Sequence, residues 1–201
     1  MPCTVESREM TPSFEHAREA VRARLSAAGA EHSEQVADAA ASLAARYGGD
    51  PDQARLAGVL HDWHRETDPA TLVARAREVG IEITQVDETV PHLLHALVAA
   101  ADLATVFPGI DEAVLAAVGA HTYGAPVMSA LAKIVYIADM IEPGRTYGRV
   151  AELRRLAGEI PLDELFARAY SVSVRHVISK RRPLHPTTIA VYNAHVAQVR
   201  A

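Results

Sequence analysis

The sequence predicts an all-α fold, and three observations predict it. Apolar residues recur three and four positions apart along most of the chain, the spacing of one helix face. The many alanines favour closely packed helices, and aromatic residues make up only 5% of the 201 positions. Asp-Pro pairs mark helix starts and glycines mark helix ends, while strand-like alternation is confined to Ile81-Glu82-Ile83. A chain of this length suits one domain with a substantial core. We read a mobile tail over residues 1–13 and a single domain over residues 14–201.

Residues 14–28 read as the first helix, with Phe14, Ala17, Val21 and Leu25 inward and Glu15, Arg18, Glu19, Arg22 and Arg24 outward, closed by Gly29. His32-Ser33-Glu34-Gln35-Val36 opens the second, which runs to Tyr47 and stops at Gly48-Gly49. Asp50-Pro51 starts the third, with Asp as N-cap and Pro at the first helical position. Its apolar face carries Leu56, Val59 and Leu60, and His61-Asp62 follow on or near that face. Asp68-Pro69 begins a short helix to Val79, closed by Gly80, and residues 81–89 read as a loop. Residues 91–104 form the next helix, with His92 and His95 three apart on neighbouring faces. Asp111 caps a helix ending at His121. After a loop, residues 128–141 make a long, nearly all-apolar helix stopped by Pro143-Gly144. Helices at residues 150–156 and 162–178 precede the basic turn Lys180-Arg181-Arg182-Pro183-Leu184-His185-Pro186, and a last helix runs to Val199.

The formal net charge of −5 provides no global basic field to attract nucleic acid or membrane. No apolar run approaches the ~18 residues of a spanning helix, and the N-terminal residues carry no signal-peptide pattern. The single Cys3 cannot form an intramolecular disulfide, in keeping with a reducing cytoplasm. The informative oddity is the ten histidines, of which His32, His61, His64, His92, His95 and His121 fall in one stretch.

Asp139 lies in Ile134-Val135-Tyr136-Ile137-Ala138-Asp139-Met140-Ile141, apolar on nearly every side. A buried carboxylate costs several kcal/mol unless a cation or several donors meet it. Either a basic side chain or a metal ion meets that need, and Lys133 lies on another face. His32 and the His61-Asp62 pair present the same kind of ligand on two other helices. Adjacent helical residues point about 100° apart, so His61 and Asp62 can meet one ion from two directions. His32, His61, Asp62 and Asp139 together make a His2Asp2 set suited to iron or manganese, less well to magnesium, and too poor in thiolate for structural zinc. On an octahedral ion such a set leaves two positions for water and substrate.

The order His32…His61-Asp62…Asp139 resembles the HD superfamily of metal-dependent phosphohydrolases, and more closely its YqeK-type branch of symmetrical diadenosine tetraphosphate hydrolases. The matching phrases are His32-Ser33-Glu34-Gln35-Val36-Ala37, Leu56-Ala57-Gly58-Val59-Leu60-His61-Asp62, Leu94-His95-Ala96 and His121-Thr122. The most specific are Ala138-Asp139-Met140-Ile141-Glu142-Pro143-Gly144-Arg145 and Arg182-Pro183-Leu184-His185-Pro186-Thr187-Thr188-Ile189. The resemblance spans residues 14–195. It implies an iron centre held by His32, His61, Asp62 and Asp139, with manganese or magnesium as alternatives. It also implies that His95 and His121 face substrate phosphates or a second metal. The expected reaction cuts diadenosine tetraphosphate into two ADP, with Asp62, Arg65, His95 and His121 as the catalytic group. His32, Arg65, His95, His121, Arg145, Arg182, His185 and Thr188 are expected around the substrate.

Two departures from the family stand out. Its members usually follow His-Asp with two small or apolar residues and a Lys, where this chain has Trp63-His64-Arg65. Arg in place of Lys keeps the charge but replaces a point donor by a planar fork. His16, His92, His176 and His195 read as ordinary core or surface histidines. Alternative readings are a phosphatase for mononucleotides or another phosphoester, and a metal-dependent nucleotide sensor without turnover. Nucleic acid and membrane are not expected partners; apolar residues on the terminal helices offer a face for a homodimer, which periodicity does not separate from core.

Overall fold

A computed structural model of the chain describes residues 12–197. It is all-α, with eleven α-helices and no strand among the described residues. The helices are α1 (Phe14–Arg24), α2 (Ala27–Tyr47), α3 (Pro51–Leu60), α4 (Pro69–Glu78), α5 (Gln85–Thr89), α6 (His95–Val106), α7 (Glu112–Ala120), α8 (Ala130–Ile141), α9 (Val150–Leu156), α10 (Leu162–Ser179) and α11 (Pro186–Val191). A 3-10 turn, Pro91–Leu94, leads into α6, and a π turn, Tyr192–Val196, follows α11. The tail expected over residues 1–13 and the end of the last helix lie largely outside the described residues; Ser13, at the tail's edge, is the N-cap of α1.

The apolar α8 is the centre of the molecule, packed by α2, α3, α7, α9 and α10. Every residue from Leu131 to Ala138 is buried. Lys133 is no exception to charge balance, since its Nζ reaches Asp163 Oδ1 at 2.7 Å. A smaller cluster of Leu72, Ala76, Leu94 and Val98 joins α4 to α6. No helix among the described residues is long and apolar enough to cross a membrane.

Four boundaries depart from the expected ones, and three of them move a site residue. The first helix stops at Arg24, and α2 begins at Ala27 rather than at His32. Ser26 interrupts them: its side chain accepts from Gly29 N, and its own N and Oγ both donate to Glu66. Gly29 is therefore in the first turn of α2, not a C-cap. Periodicity read through the break because Leu25 is still buried. His32 thus sits within a 21-residue helix. The helix α3 ends at Leu60, so His61 and Asp62 lie in the turn after it, with His61 as C-cap. Residues 85–89, expected as loop, form α5 because Thr84 and Asp87 make a reciprocal capping box. The expected helix over 91–104 starts as the 3-10 turn and only becomes α-helical at His95.

Gly58 sets the spacing of α2 and α3. A Cβ there would lie 2.7 Å from Ala37 Cα and 3.0 Å from Ala37 N, so only glycine lets the two backbones meet. This contact fixes His61-Asp62 against the helix that carries His32.

Candidate metal centre

Three imidazoles are held by the same local device. His61 Nδ1–H donates to Gly58 O (2.8 Å), His95 Nδ1–H to His92 O (2.6 Å), and His121 Nδ1–H to Val118 O (2.7 Å). Each ring folds back on the carbonyl three residues earlier, which assigns its tautomer. The neutral ring then presents a lone pair at Nε2. His32 is oriented by a carboxylate instead: its Nδ1 lies 3.3 Å from Oε1 of buried Glu142. A carboxylate behind a ligating imidazole is the usual second partner of a metal-binding histidine.

These Nε2 atoms converge on one carboxylate. Asp62 Oδ2 lies 3.4 Å from His61 Nε2 and 3.6 Å from His32 Nε2. Asp62 Oδ1 lies 3.0 Å from His95 Nε2 and 3.4 Å from His121 Nε2. Asp139 Oδ1 completes the first side, 3.1 Å from His32 Nε2 and 3.9 Å from His61 Nε2. Two groups compact enough to hold an ion therefore share Asp62: His32–His61–Asp62, and Asp62–His95–His121.

The donor chemistry fits a cation. His61 Nε2 is fully buried and has no hydrogen-bond partner among the described residues. His95 Nε2 and His121 Nε2 approach to 3.0 Å, although each carries a lone pair when Nδ1 is the protonated nitrogen. Thr122 Oγ1, 3.2 Å from His121 Nε2 and 3.5 Å from His95 Nε2, has one O–H to give and serves one of these acceptors; a proton or a metal ion meets the rest. The electrostatics agree. Burial opposes charge on His61, but Asp62 and Asp139 outweigh it and raise its pKa to about 9. Burial also opposes charge on Asp62, where His61, His121 and His95 prevail and hold the carboxyl well below its usual range. Asp139 is likewise held down, against burial, by His32, His61 and Arg145. His121 is pushed below the usual imidazole value by burial and by its neighbours His61 and His95.

Asp139 is less enclosed than its apolar helix suggests, with 23% of its side chain accessible. Both answers to its charge are present: the imidazoles on one side and Arg145 on the other. Arg145 NH2 reaches Asp139 Oδ1 at 2.5 Å and its Nε donates to the Asp139 carbonyl at 2.9 Å. Arg65 stands at the exposed mouth, its Nε 4.0 Å from Asp62 Oδ2.

The C-terminal turn is built differently. Arg181 adopts φ 52°, and the amides of Arg181 and Arg182 close back on Ile178 O and Val177 O as a Schellman motif. Exposed Arg182 lines a small cavity with His92, Thr122, Leu184 and Thr188. His92, read as ordinary from sequence, is half-buried there; burial first, then Arg65, His95 and Arg182, lower its pKa. His185 has both nitrogens engaged: Nδ1 accepts from Thr187 N, and Nε2–H donates to Asp87 Oδ2 at 3.2 Å. Its ring stacks on Tyr123 at 4.1 Å, and the Tyr123 hydroxyl donates to Asp87 Oδ1. His185 thus anchors the turn and offers no free donor to a ligand. His16 and His195 are ordinary packing residues, edge-on to Phe107 and Phe166.

His64 points away from the metal ligands. Its Nδ1 accepts from Thr67 Oγ1 and Arg24 NH2, both at 2.9 Å, so Nε2–H donates to Asp102 Oδ2 at 2.8 Å. Trp63 packs under the Arg24 guanidinium (4.7 Å) and against Phe107. Trp63 and His64 therefore tie the turn to α1 and α6. Sequence reasoning missed Glu142, Asp102 and Thr122 as site residues. Glu142 and Thr122 carried a signal, since both lie inside matching phrases, Glu142 as an acidic residue after an apolar helix; Asp102 carried none.

Comparison with known proteins agrees with this geometry. The family pattern of the HD domain matches residues 29–144. The symmetrical bis(5'-nucleosyl)-tetraphosphatase of Bacillus subtilis strain 168 is 32% identical over 165 residues, 81% of this chain and 86% of that protein. The enzyme of the same name from Staphylococcus aureus strain NCTC 8325 is 34% identical over 184 residues, 90% of each chain. A crystal structure described as a predicted HD superfamily hydrolase involved in NAD metabolism from Clostridium acetobutylicum superposes with a TM-score of 0.86. It shares 34% identity and covers 94% of this chain and 99% of that one. The His-Asp pair at the end of α3, the histidines around it and the matched span together place the chain in a family: it belongs to the HD domain family.

Proposed function

We propose that this chain is a metal-dependent hydrolase that cuts dinucleoside tetraphosphates at the centre, giving two ADP from diadenosine tetraphosphate. The observation that carries the hydrolytic reading is the Asp62 carboxylate with acceptor nitrogens on both its oxygens, an arrangement that calls for cations. The names of the relatives support the substrate. His32, His61, Asp62 and Asp139 would hold the first ion, most suitably iron on ligand type, with manganese or magnesium as alternatives. Asp62, His95 and His121 favour a second ion beside it. A bound ion supplies Lewis acidity and lowers the pKa of its water.

The remaining chemistry belongs to the chain. Arg65 at the mouth and Arg145 beside Asp139 meet the charge that develops on phosphoryl oxygens. Arg182 and Thr188 meet the substrate further out, and His92 and Thr122 line the path between. With cationic donors on both sides of Asp62, the reacting phosphorus is a central one and the leaving group is a nucleoside diphosphate, whose charge needs such donors. The test uses iron-loaded protein and diadenosine tetraphosphate in oxygen-18 water. ADP should be the sole product, with label in half its molecules. ATP plus AMP would mean an off-centre cut, and turnover of AMP alone would select the phosphatase reading.

A further inference from the structure

The metal ligands adjoin a second cavity that none of the expected substrate residues apart from Arg145 accounts for. It lies between the 143–149 loop and α10 and has a volume of about 530 Å³. Asp139 and Arg145 are part of its lining, which joins it to the metal ligands. Met140, Tyr147 and Val172 give it an apolar lining, and Arg149, Arg175 and His176 stand around it. The cavity on the Arg182 side is only about 110 Å³. Sites for small ligands are generally ~300–1,000 Å³, mostly apolar, with a few convergent polar groups. The larger cavity meets that description and the smaller does not.

We infer that the Met140–Tyr147–Val172 cavity is a nucleoside subsite. The base lies against these three side chains, and the attached phosphates run past Arg145 toward Asp139, with Arg149 and Arg175 as outer counter-charges. This rests on the proposed cleavage of a dinucleoside tetraphosphate and adds where one nucleoside is held. Tyr147 is suited to it, because its hydroxyl donates to Met140 O at 2.7 Å and fixes the ring as one wall. Arg175 and Arg149 are exposed, so their charge is available to a ligand.

The test separates this inference from its parent. Binding of ADP to the iron-loaded protein is measured by calorimetry for wild type, Val172→Trp, which fills the cavity, and Arg175→Glu, which lies on the surface and leaves folding intact. Photolabelling with 2-azido-ADP locates the base. Loss of about tenfold or more in ADP affinity in Val172→Trp, and a smaller loss in Arg175→Glu, are expected. The label should fall on the peptides carrying Tyr147 or Val172. ADP affinity within twofold of wild type in both variants, or label confined to peptides with His92 or Arg182, overturns the inference. Wild-type hydrolysis of diadenosine tetraphosphate together with either of those results leaves the parent reading standing. Loss of ADP binding in the variants of a protein that does not hydrolyse it leaves the subsite and removes the parent.

Discussion

The two halves of the site are made of different materials. From α2 to α8 the side chains that converge are short and buried or half-buried, and backbone carbonyls or Glu142 set the orientation of the imidazoles. From residue 145 onward the site is lined by long arginines on exposed loops and helix ends, among them Arg149, Arg175 and Arg182. The HD domain match ends at residue 144, at this divide. Imidazole and carboxylate in fixed geometry suit ions, whose ligand distances tolerate little error. Arginines with free rotamers suit polyphosphates, where charge matters more than a tenth of an ångström. Change in the second half should therefore alter which substrate binds while leaving metal binding intact.

Substitutions can break that division, and the largest effect belongs to the shared carboxylate. Asp62→Asn keeps the shape but removes a ligand from both groups. Metal analysis should show loss of the ion, and kcat should fall by at least about 10²–10³-fold, the scale for removing a central electrostatic group. Stoichiometric metal in Asp62→Asn would end the idea that this residue joins two sites. Glu142→Gln removes only the carboxylate behind His32. Its metal affinity should drop by about 10–100-fold while the fold melts cooperatively.

Protonation sharpens the same comparison. Without metal, a proton takes the cation's place at His61, whose pKa of about 9 exceeds the unfolded value of 6.5. A folded-state pKa above the unfolded one adds stability that is complete below pH 6.5 and lost as pH rises through 9. Thermal melts of metal-free protein should fall across that window, by up to on the order of 3 kcal/mol in stability. Protein reloaded with metal should melt evenly there; a flat profile without metal would mean that His61 carries no such proton. The smallest effect is expected in the arginine half. Arg182→Ala should raise KM for diadenosine tetraphosphate by about three- to tenfold, the worth of one charge-assisted contact, and leave metal content unchanged. Lost metal in this variant would erase the division between the halves.

How far these features were legible in the sequence follows the same line. Helix ends written by Asp50-Pro51, Asp68-Pro69, Gly48 and Gly80 were readable because caps are local chemistry. So were His32, His61, Asp62 and Asp139 as a convergent set, since a charge in an apolar frame demands a partner. The break at Ser26 was not, because Glu66, forty residues away, stabilises it. His185 and Asp87, ninety-eight positions apart, are linked only by the fold, as are His64 and Asp102. Polar residues whose partners are distant in sequence give no periodic signal. That is why Glu142, 110 positions from its partner His32, went without a role.

The glycine contact between α2 and α3 has a dynamic consequence. Two helices whose backbones touch with no side chain between them cannot slide or separate without opening the interface completely. The amides around Ala37 and those around Gly58 should therefore exchange with deuterium as one cooperative unit, at a single opening free energy. His32 rides on one member of this unit and the His61-Asp62 turn on the other. Fluctuations that reach these ligands move them together, so the pocket for the ion is preserved on the timescale of any opening short of that unit's unfolding.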